Sequence, residues 1–296
     1  MLPRKLIALN IAALVLHIGL LIAVVVTFYI IKRNRGKGVL RVYRVAAENA
    51  VDVEQANMRL NLKEVGDLAL PPLLISFCVV TVIAHAAYLS GRNTWYADAI
   101  ASGTNPWRYL EYGISATIMF IIIAALSGAR TVTILLLIAT ASVCMFIAGA
   151  KAEKATADGG TMTSSGVFYP SAVAWLLFAA IWVGIGYVFF STVKDAKDRS
   201  KTNPDAKGPP TWLWAVYLVE IVLFSLFGVM AVYYAKTHNF GKTELGYVIL
   251  SFVAKATLVF LLIGGLNAAE KTQQSTLPPS GSASESGTGL KTQVEL

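Results

Sequence analysis

The sequence predicts an all-α membrane protein, a bundle of seven transmembrane helices. Three observations support this: 56% of the 296 residues are hydrophobic, 14% are charged, and seven apolar runs recur along the chain. Soluble domains carry about 25% charged residues, so the composition excludes an ordinary soluble protein. Each run is long enough to cross a bilayer, which takes about 20 helical residues. The runs are 6–31, 69–89, 107–126, 132–150, 168–193, 212–235 and 245–266.

The first run and the segment after it set the domain organisation. Run 6–31 is too long for a signal peptide and lacks a small-residue cleavage site, so we expect the first spanning helix there. Residues 32–67 form a long first loop, since bundled helices are usually joined by about 2–8 residues. Its start, Val39-Leu-Arg-Val-Tyr-Arg-Val, alternates apolar and basic residues and indicates a strand of a β-hairpin, whereas 49–64 reads as helical or irregular.

The composition of the C-terminal end differs from the rest. Residues 272–296 include Leu-Pro-Pro-Ser-Gly-Ser-Ala-Ser-Glu-Ser-Gly, which predicts a disordered tail. We therefore expect one membrane domain over residues 1–271, followed by this tail.

The third run has a well-marked start. Asn105 is the expected N-cap and Pro106 the first helical residue. Arg108, Glu111 and Ser115 follow at spacings of about one turn, so the three share a face. From the residues alone, an Arg–Glu pair at the helix mouth and a functional acid are equally good interpretations.

A lysine lies in the middle of the last run. Lys255 has apolar residues on both sides, with Ser251 one turn before it. A charged lysine at the bilayer centre costs roughly 2.5–3.5 kcal/mol even on the milder scales. Snorkelling relieves this cost only near helix ends, so the position indicates function. A desolvated lysine is a good nucleophile towards a carbonyl and forms a Schiff base.

Other ionisable or reactive residues inside the runs are few. Taken alone, His17 fits a packing residue better than a ligand, and His85 lies in the second run, toward the N-terminal face of the membrane. Glu220 cannot reach an interface and should face the interior or a water-filled cavity. Cys78 and Cys144 show neither disulfide nor metal spacing and fit small buried side chains. No metal, nucleotide or hydrolase constellation appears in the sequence, so we expect no metal site and no enzyme.

The net charge of +8 bears on orientation rather than on nucleic acid, because the basic residues lie in loops beside the apolar runs. They are more numerous on the side of the membrane where the C-terminus lies than on the side where the N-terminus lies. Positive-inside reasoning therefore favours an external N-terminus, and we expect no nucleic-acid partner.

Seven runs, a buried Lys255 in the last, and Arg108-Tyr-x-Glu111 near the start of the third resemble microbial rhodopsins and, more narrowly, the heliorhodopsin family. Microbial pumps usually have an aspartate at the position of Ser251, whereas heliorhodopsins have a serine there, as this chain does. The resemblance covers all seven runs but not the tail. It implies the opposite orientation, with a cytoplasmic N-terminus, and we give the family more weight than the charge count.

The resemblance also implies retinal, all-trans in the dark, on a Lys255 Schiff base with Glu111 as counterion. Around these it implies a Schiff-base region of Ser251, Ser115, Arg108, His17 and His85, and a retinal pocket that includes Tyr112, Met119 and Phe224.

The function this resemblance implies is a photoreceptor in the cell membrane, homodimeric and surrounded by lipid, that signals to an unknown partner through light-driven isomerisation. The alternative is a light-gated passive proton channel that uses Glu220, with His17 and His85 as further polar stations. A pump is disfavoured, because the donor position of outward pumps falls here on Ile122.

Overall fold

A computed structural model describes residues 4–31, 39–45, 62–90, 94–202 and 210–274. In this part of the chain seven helices are long and apolar enough to span a membrane, which confirms the predicted fold class. Each predicted run corresponds to one of them. The elements in chain order are α1 (Arg4–Val25, continued by a π-helix, Val26–Ile31), β1 (Val39–Val45), β2 (Leu62–Ala69), α2 (Leu70–Leu89), α3 (Thr94–Ala101), α4 (Pro106–Leu126), α5 (Val132–Ala157), α6 (Ser165–Thr202), α7 (Thr211–Thr237) and α8 (Phe240–Gln274).

The spanning helices form a closed ring. Successive spanning helices pack side by side from α1 and α2 through α4 to α8, and α8 closes the ring against α1. Helix α4 also contacts α6 and α7, so it is the most enclosed member. Its residues Phe120, Ile122, Ile123 and Ala124 are all fully buried, although consecutive helical positions point in different directions. Side chains of α4 can therefore meet partners on several helices.

The start of α4 agrees with the sequence prediction. The side chain of Asn105 accepts a hydrogen bond from the backbone N–H of Arg108 at 3.1 Å, and Pro106 is the first helical residue. Proline suits this position because its missing N–H would have no helical partner there. The two residues fix where Arg108 and Glu111 enter the bundle.

The segment between α1 and α2 contains a two-stranded antiparallel sheet. Strand β1, predicted from the apolar–basic alternation, pairs with β2 from Val39 opposite Ala69 to Val45 opposite Leu62. The end of the predicted helical or irregular stretch, 62–64, is strand, and the rest of that stretch lies outside the described residues. Strand β2 leads directly into α2.

One further boundary and one short helix differ from the predictions. Helix α8 continues to Gln274, so residues 272–274 of the predicted tail are helical, and 275–296 lie outside the described residues. The short helix α3 was not predicted, because eight residues are too few to show a helical period. It buries Tyr96 completely, against Tyr88 of α2 with ring centroids 4.4 Å apart.

A buried ion cluster joins α4, α5 and α8. The guanidinium of Arg108 forms ion pairs with Glu153 of α5 and Glu244 of α8. The backbone N–H and the side-chain amide of Asn105 donate to Glu153 and Glu244, each at 2.7 Å. The Tyr109 hydroxyl adds a bond to Glu153 at 3.2 Å. Both acids lie just outside the apolar runs defined from sequence. They are nevertheless part of the bundle, because α5 and α8 extend beyond those runs.

We predict that Arg108→Gln lowers the free energy of unfolding by about 3–5 kcal/mol, because it leaves two buried carboxylates without a cation. Reversible unfolding in mixed detergent measures the change. Lys154→Gln is the matched control: it removes an ion pair with Asp158 whose side chains are 63% and 59% exposed, and we expect less than about 1 kcal/mol. A loss no larger than that of the control would show that the cluster does not stabilise the bundle.

Candidate functional site

The centre of the site is a buried pair of opposite charges from α8 and α4. The Lys255 ammonium nitrogen lies 2.8 Å from Oε1 of Glu111 and 2.7 Å from the hydroxyl of Ser251, one turn earlier on α8. Lys255 is 2% exposed and Glu111 is 6% exposed. The Lys255 nitrogen also lies 5.3 Å from the centre of the Tyr112 ring, within cation–π range.

Two hydroxyl groups complete the surroundings of Glu111. Thr81 of α2 donates to Glu111 Oε1 at 2.6 Å, and Ser115 donates to the same oxygen at 2.7 Å. Hydrogen bonds to an ionised group are among the stronger ones, so both stabilise the carboxylate. The sequence analysis missed Thr81. A hydroxyl one turn before His85 on an otherwise apolar run was the only signal available.

Arg108 lies apart from this pair. The sequence allowed an Arg108–Glu111 pair at the helix mouth, and that interpretation is wrong. Arg108 is engaged by Glu153 and Glu244 instead. Although Arg108 and Glu111 are one turn apart, they belong to different clusters.

A largely apolar cavity lies beside the lysine. Its volume is about 120 Å³. Residues from α4 to α8 line it, and Lys255 and Ser251 form part of its wall. The larger lining side chains are Tyr109, Tyr112, Met119, Met145, Phe146, Trp175, Phe178, Phe224, Phe227 and Tyr247.

The cavity lining fits an apolar, conjugated aldehyde such as retinal. Rings and methionines supply apolar contact, and Lys255 supplies an amine at the wall. Gly228 is required where it stands, because a Cβ there would lie 2.3 Å from the Trp175 ring. Of the predicted pocket residues, Tyr112, Met119 and Phe224 all line the cavity.

The two histidines from the sequence analysis come together. His17 of α1 and His85 of α2 stack with ring centroids 5.4 Å apart, at 0% and 5% exposure. Phe252, which follows Ser251 on α8, packs nearly perpendicular to the His17 ring, with ring centroids 5.4 Å apart. The pair therefore lies beside the lysine site.

Glu220 is separate from the lysine site. Its side chain is fully buried, and neither carboxyl oxygen has a hydrogen-bond partner among the described residues. It is not among the residues that line the cavity. The sequence analysis expected an interior position and, in the simpler interpretation, one hydrogen bond to a neighbouring helix. The interior position is found, whereas the hydrogen bond is not.

Comparison with known proteins adds three findings. The family model described as Heliorhodopsin matches residues 6–266. No match was found among curated proteins. Two structures of the Salpingoeca rosetta rhodopsin phosphodiesterase are similar: the transmembrane domain with its linker region (TM-score 0.63, 16% identity, covering 93% of this chain and 76% of that one), and the transmembrane domain (TM-score 0.62, 16% identity, 89% and 84%).

A thermophilic rhodopsin is also similar, with a TM-score of 0.53 and 13% identity over 94% of this chain and 100% of that one. At these identities the three structures support the rhodopsin fold alone. Together with the family match, the seven apolar helices indicate a multi-pass membrane protein of the retinal photoreceptor type. The family model spans nearly the whole of the described bundle, and the chain belongs to the heliorhodopsin family.

Proposed function

We propose that the protein is a light-absorbing photoreceptor in which Lys255 carries retinal, all-trans in the dark, through a protonated Schiff base with Glu111 as counterion. The observation that carries the proposal is the buried Lys255–Glu111 pair beside an aromatic cavity. Structural pairing alone does not require such a cavity next to the amine. An attachment site for an apolar aldehyde requires both the buried pair and the cavity.

The surroundings of Lys255 suit attachment to an aldehyde. Attack on a carbonyl needs the neutral amine, and Glu111 at 2.8 Å is within reach to take the ammonium proton. Ser251, at 2.7 Å, holds the nitrogen from its own helix. The low exposure of the pair keeps competing water away from the reacting nitrogen.

Condensation of the amine with the aldehyde would release the carbonyl oxygen as water and return the proton from Glu111 to the imine nitrogen, which would leave Glu111 ionised and change the balance of hydrogen bonds. The ammonium group donates to both Glu111 and Ser251, but a protonated imine nitrogen has a single hydrogen. Glu111 is the stronger acceptor because it is ionised, so it keeps this bond. Thr81 and Ser115 continue to donate to Glu111 and hold its charge in place.

Bound retinal supplies visible-light absorption and a change of shape on illumination. The response of the chain begins at the side chains that line the cavity, including Trp175 packed against Gly228. These come from five helices, so a change in their packing can shift helices relative to one another. Two such packings, one favoured in the light, would signal to a partner protein from a homodimer in the membrane.

We predict that Lys255→Ala abolishes the visible absorption band of protein reconstituted with all-trans retinal, because no other amine lines the cavity in the described part of the chain. Absorption spectra of the purified variant and parent measure this. Lys242→Ala is the control, since Lys242 is exposed near the start of the same helix, and it should keep the band. An unchanged band in Lys255→Ala would refute the attachment site.

We predict that Glu111→Gln shifts the visible band to longer wavelength, or makes the chromophore lose its proton at lower pH than in the parent, because the cation loses its nearest anion. Spectra recorded across a pH titration measure both effects. Thr81→Val and Ser115→Ala are matched controls that each remove one neutral donor to Glu111, and we expect smaller changes. If Glu111→Gln absorbs and titrates as the parent does, the counterion is another group.

A second candidate function rests on Glu220. A buried carboxyl group without a hydrogen bond is costly, so an unpartnered one in a native protein calls for an explanation. The Trp182 indole N–H is also buried and unpartnered among the described residues. The Trp182 ring packs at 5.7 Å on Tyr217 and at 6.0 Å on Phe224, and these two lie about one turn on either side of Glu220. Water entering here would satisfy both groups and begin a passive proton path between α6 and α7.

If Glu220 lines such a path, illuminated cells should pass a current that reverses with voltage, and Glu220→Gln should abolish it. Whole-cell patch clamp measures the current. The control is Ser225→Ala on the same helix, which removes a hydroxyl that donates to the backbone carbonyl of Ile221 one turn earlier, and it should leave the current intact. A parent without stationary current at any voltage or pH gradient would rule out the channel, as would a current that persists in Glu220→Gln.

A further inference from the structure

The two stacked histidines beside the lysine site have defined tautomers. An imidazole donates from one nitrogen and accepts at the other, so its neighbours decide which nitrogen can take a proton. For His17, Nδ1 lies 2.7 Å from the carbonyl oxygen of Ala13, one turn earlier on α1. A carbonyl only accepts, so Nδ1 carries the hydrogen. In the neutral ring Nε2 of His17 is then bare, and it has no hydrogen-bond partner among the described residues.

The tautomer of His85 depends on another helix. Its Nδ1 lies 2.9 Å from the side-chain oxygen of Asn10 on α1. The amide nitrogen of Asn10 lies 3.0 Å from the carbonyl oxygen of Leu6 and 3.1 Å from the hydroxyl of Tyr96. Because the Leu6 carbonyl only accepts, the NH₂ group must face it, and the amide oxygen must face His85. That oxygen also only accepts, so His85 carries its hydrogen on Nδ1.

We propose that Asn10 is a positioning residue that holds His85 as the Nδ1–H tautomer, so that Nε2 is the nitrogen able to accept a proton. His85 lies one turn from Thr81, which donates to Glu111, so His85 belongs to the polar region around Lys255. The use of that nitrogen during a light response rests on the proposed function. The tautomer itself does not.

Helix α3 supports this arrangement. Tyr96 is fully buried and places its hydroxyl against the Asn10 amide, which is 2% exposed. Burial raises the pKa of the Tyr96 hydroxyl above its ordinary value, so the group stays neutral at physiological pH. Both donors of the Asn10 amide are therefore engaged, and the amide has no reason to turn over. Helix α3 therefore supplies one of the two partners of the Asn10 amide nitrogen, the Tyr96 hydroxyl; the other is the Leu6 carbonyl.

The test is ¹⁵N NMR of histidine-labelled protein in the dark, carrying retinal. The chain has three histidines, and His238 is exposed, so substituting each one by Gln assigns the pair of ring signals of each histidine. Protonated and bare ring nitrogens have well-separated ¹⁵N shifts. We expect both buried histidines to show a protonated Nδ1 and a bare Nε2 at neutral pH. A protonated Nε2 on neutral His85 would overturn the proposal without any variant.

Asn10→Leu removes the acceptor with little change in volume. We expect His85 to lose the Nδ1–H form in favour of Nε2–H, while His17, held by Ala13 on its own helix, stays unchanged as an internal control. Asn10→Asp keeps an acceptor oxygen and should restore Nδ1–H. An unchanged His85 in Asn10→Leu would refute the positioning role. The ring signals are read whether or not a visible band forms, so this outcome is independent of the chromophore claim.

Discussion

The constraint on which the rest of the site depends is the burial of one positive and one negative charge, Lys255 and Glu111, between two helices. Neither charge can be buried alone at acceptable cost, and removal of either leaves the other without compensation. The remaining contacts serve the pair: Thr81 and Ser115 donate to the carboxylate, and Ser251 accepts from the lysine. Helices α2, α4 and α8 are therefore held in one arrangement by polar contacts at their centre. A cationic imine in place of the ammonium would meet the same need for an anion.

The second buried cluster explains why this pair stays isolated. Arg108 lies one turn from Glu111 and would be the obvious competitor for its charge. Glu153 and Glu244 engage it from both sides, and each of the four carboxylate oxygens has a donor from Arg108 or Asn105. Within the part of the chain that the structure describes, Glu111 is thus left with a single cationic partner, Lys255. The two clusters share helices α4 and α8 but no side chain, so their contributions can be separated by mutation.

Sequence reasoning reached the parts of the site that lie on one helix or carry a charge. Lys255 and Ser251 could be paired by their spacing of one turn, and Glu111 was conspicuous as an acid inside an apolar run. The seven spans followed from run length, whereas α3 is too short to show a period. Thr81 and Asn10 could not be found, because an uncharged polar side chain in an apolar run gives no sign of its partner on another helix. The acids that engage Arg108 were missed because both helices extend beyond their apolar runs, so charged residues just outside those runs still lie inside the bundle.

The central claim is that Lys255 is the residue to which retinal is bound, and the most direct measurement is chemical. Borohydride reduction of the retinal-loaded protein under illumination converts an imine to a stable amine, after which proteolysis and mass spectrometry locate the modified peptide. The account predicts a single retinyl adduct, on the α8 peptide that contains Lys255. An adduct on a different lysine, or a visible band with no adduct on any lysine, would contradict it.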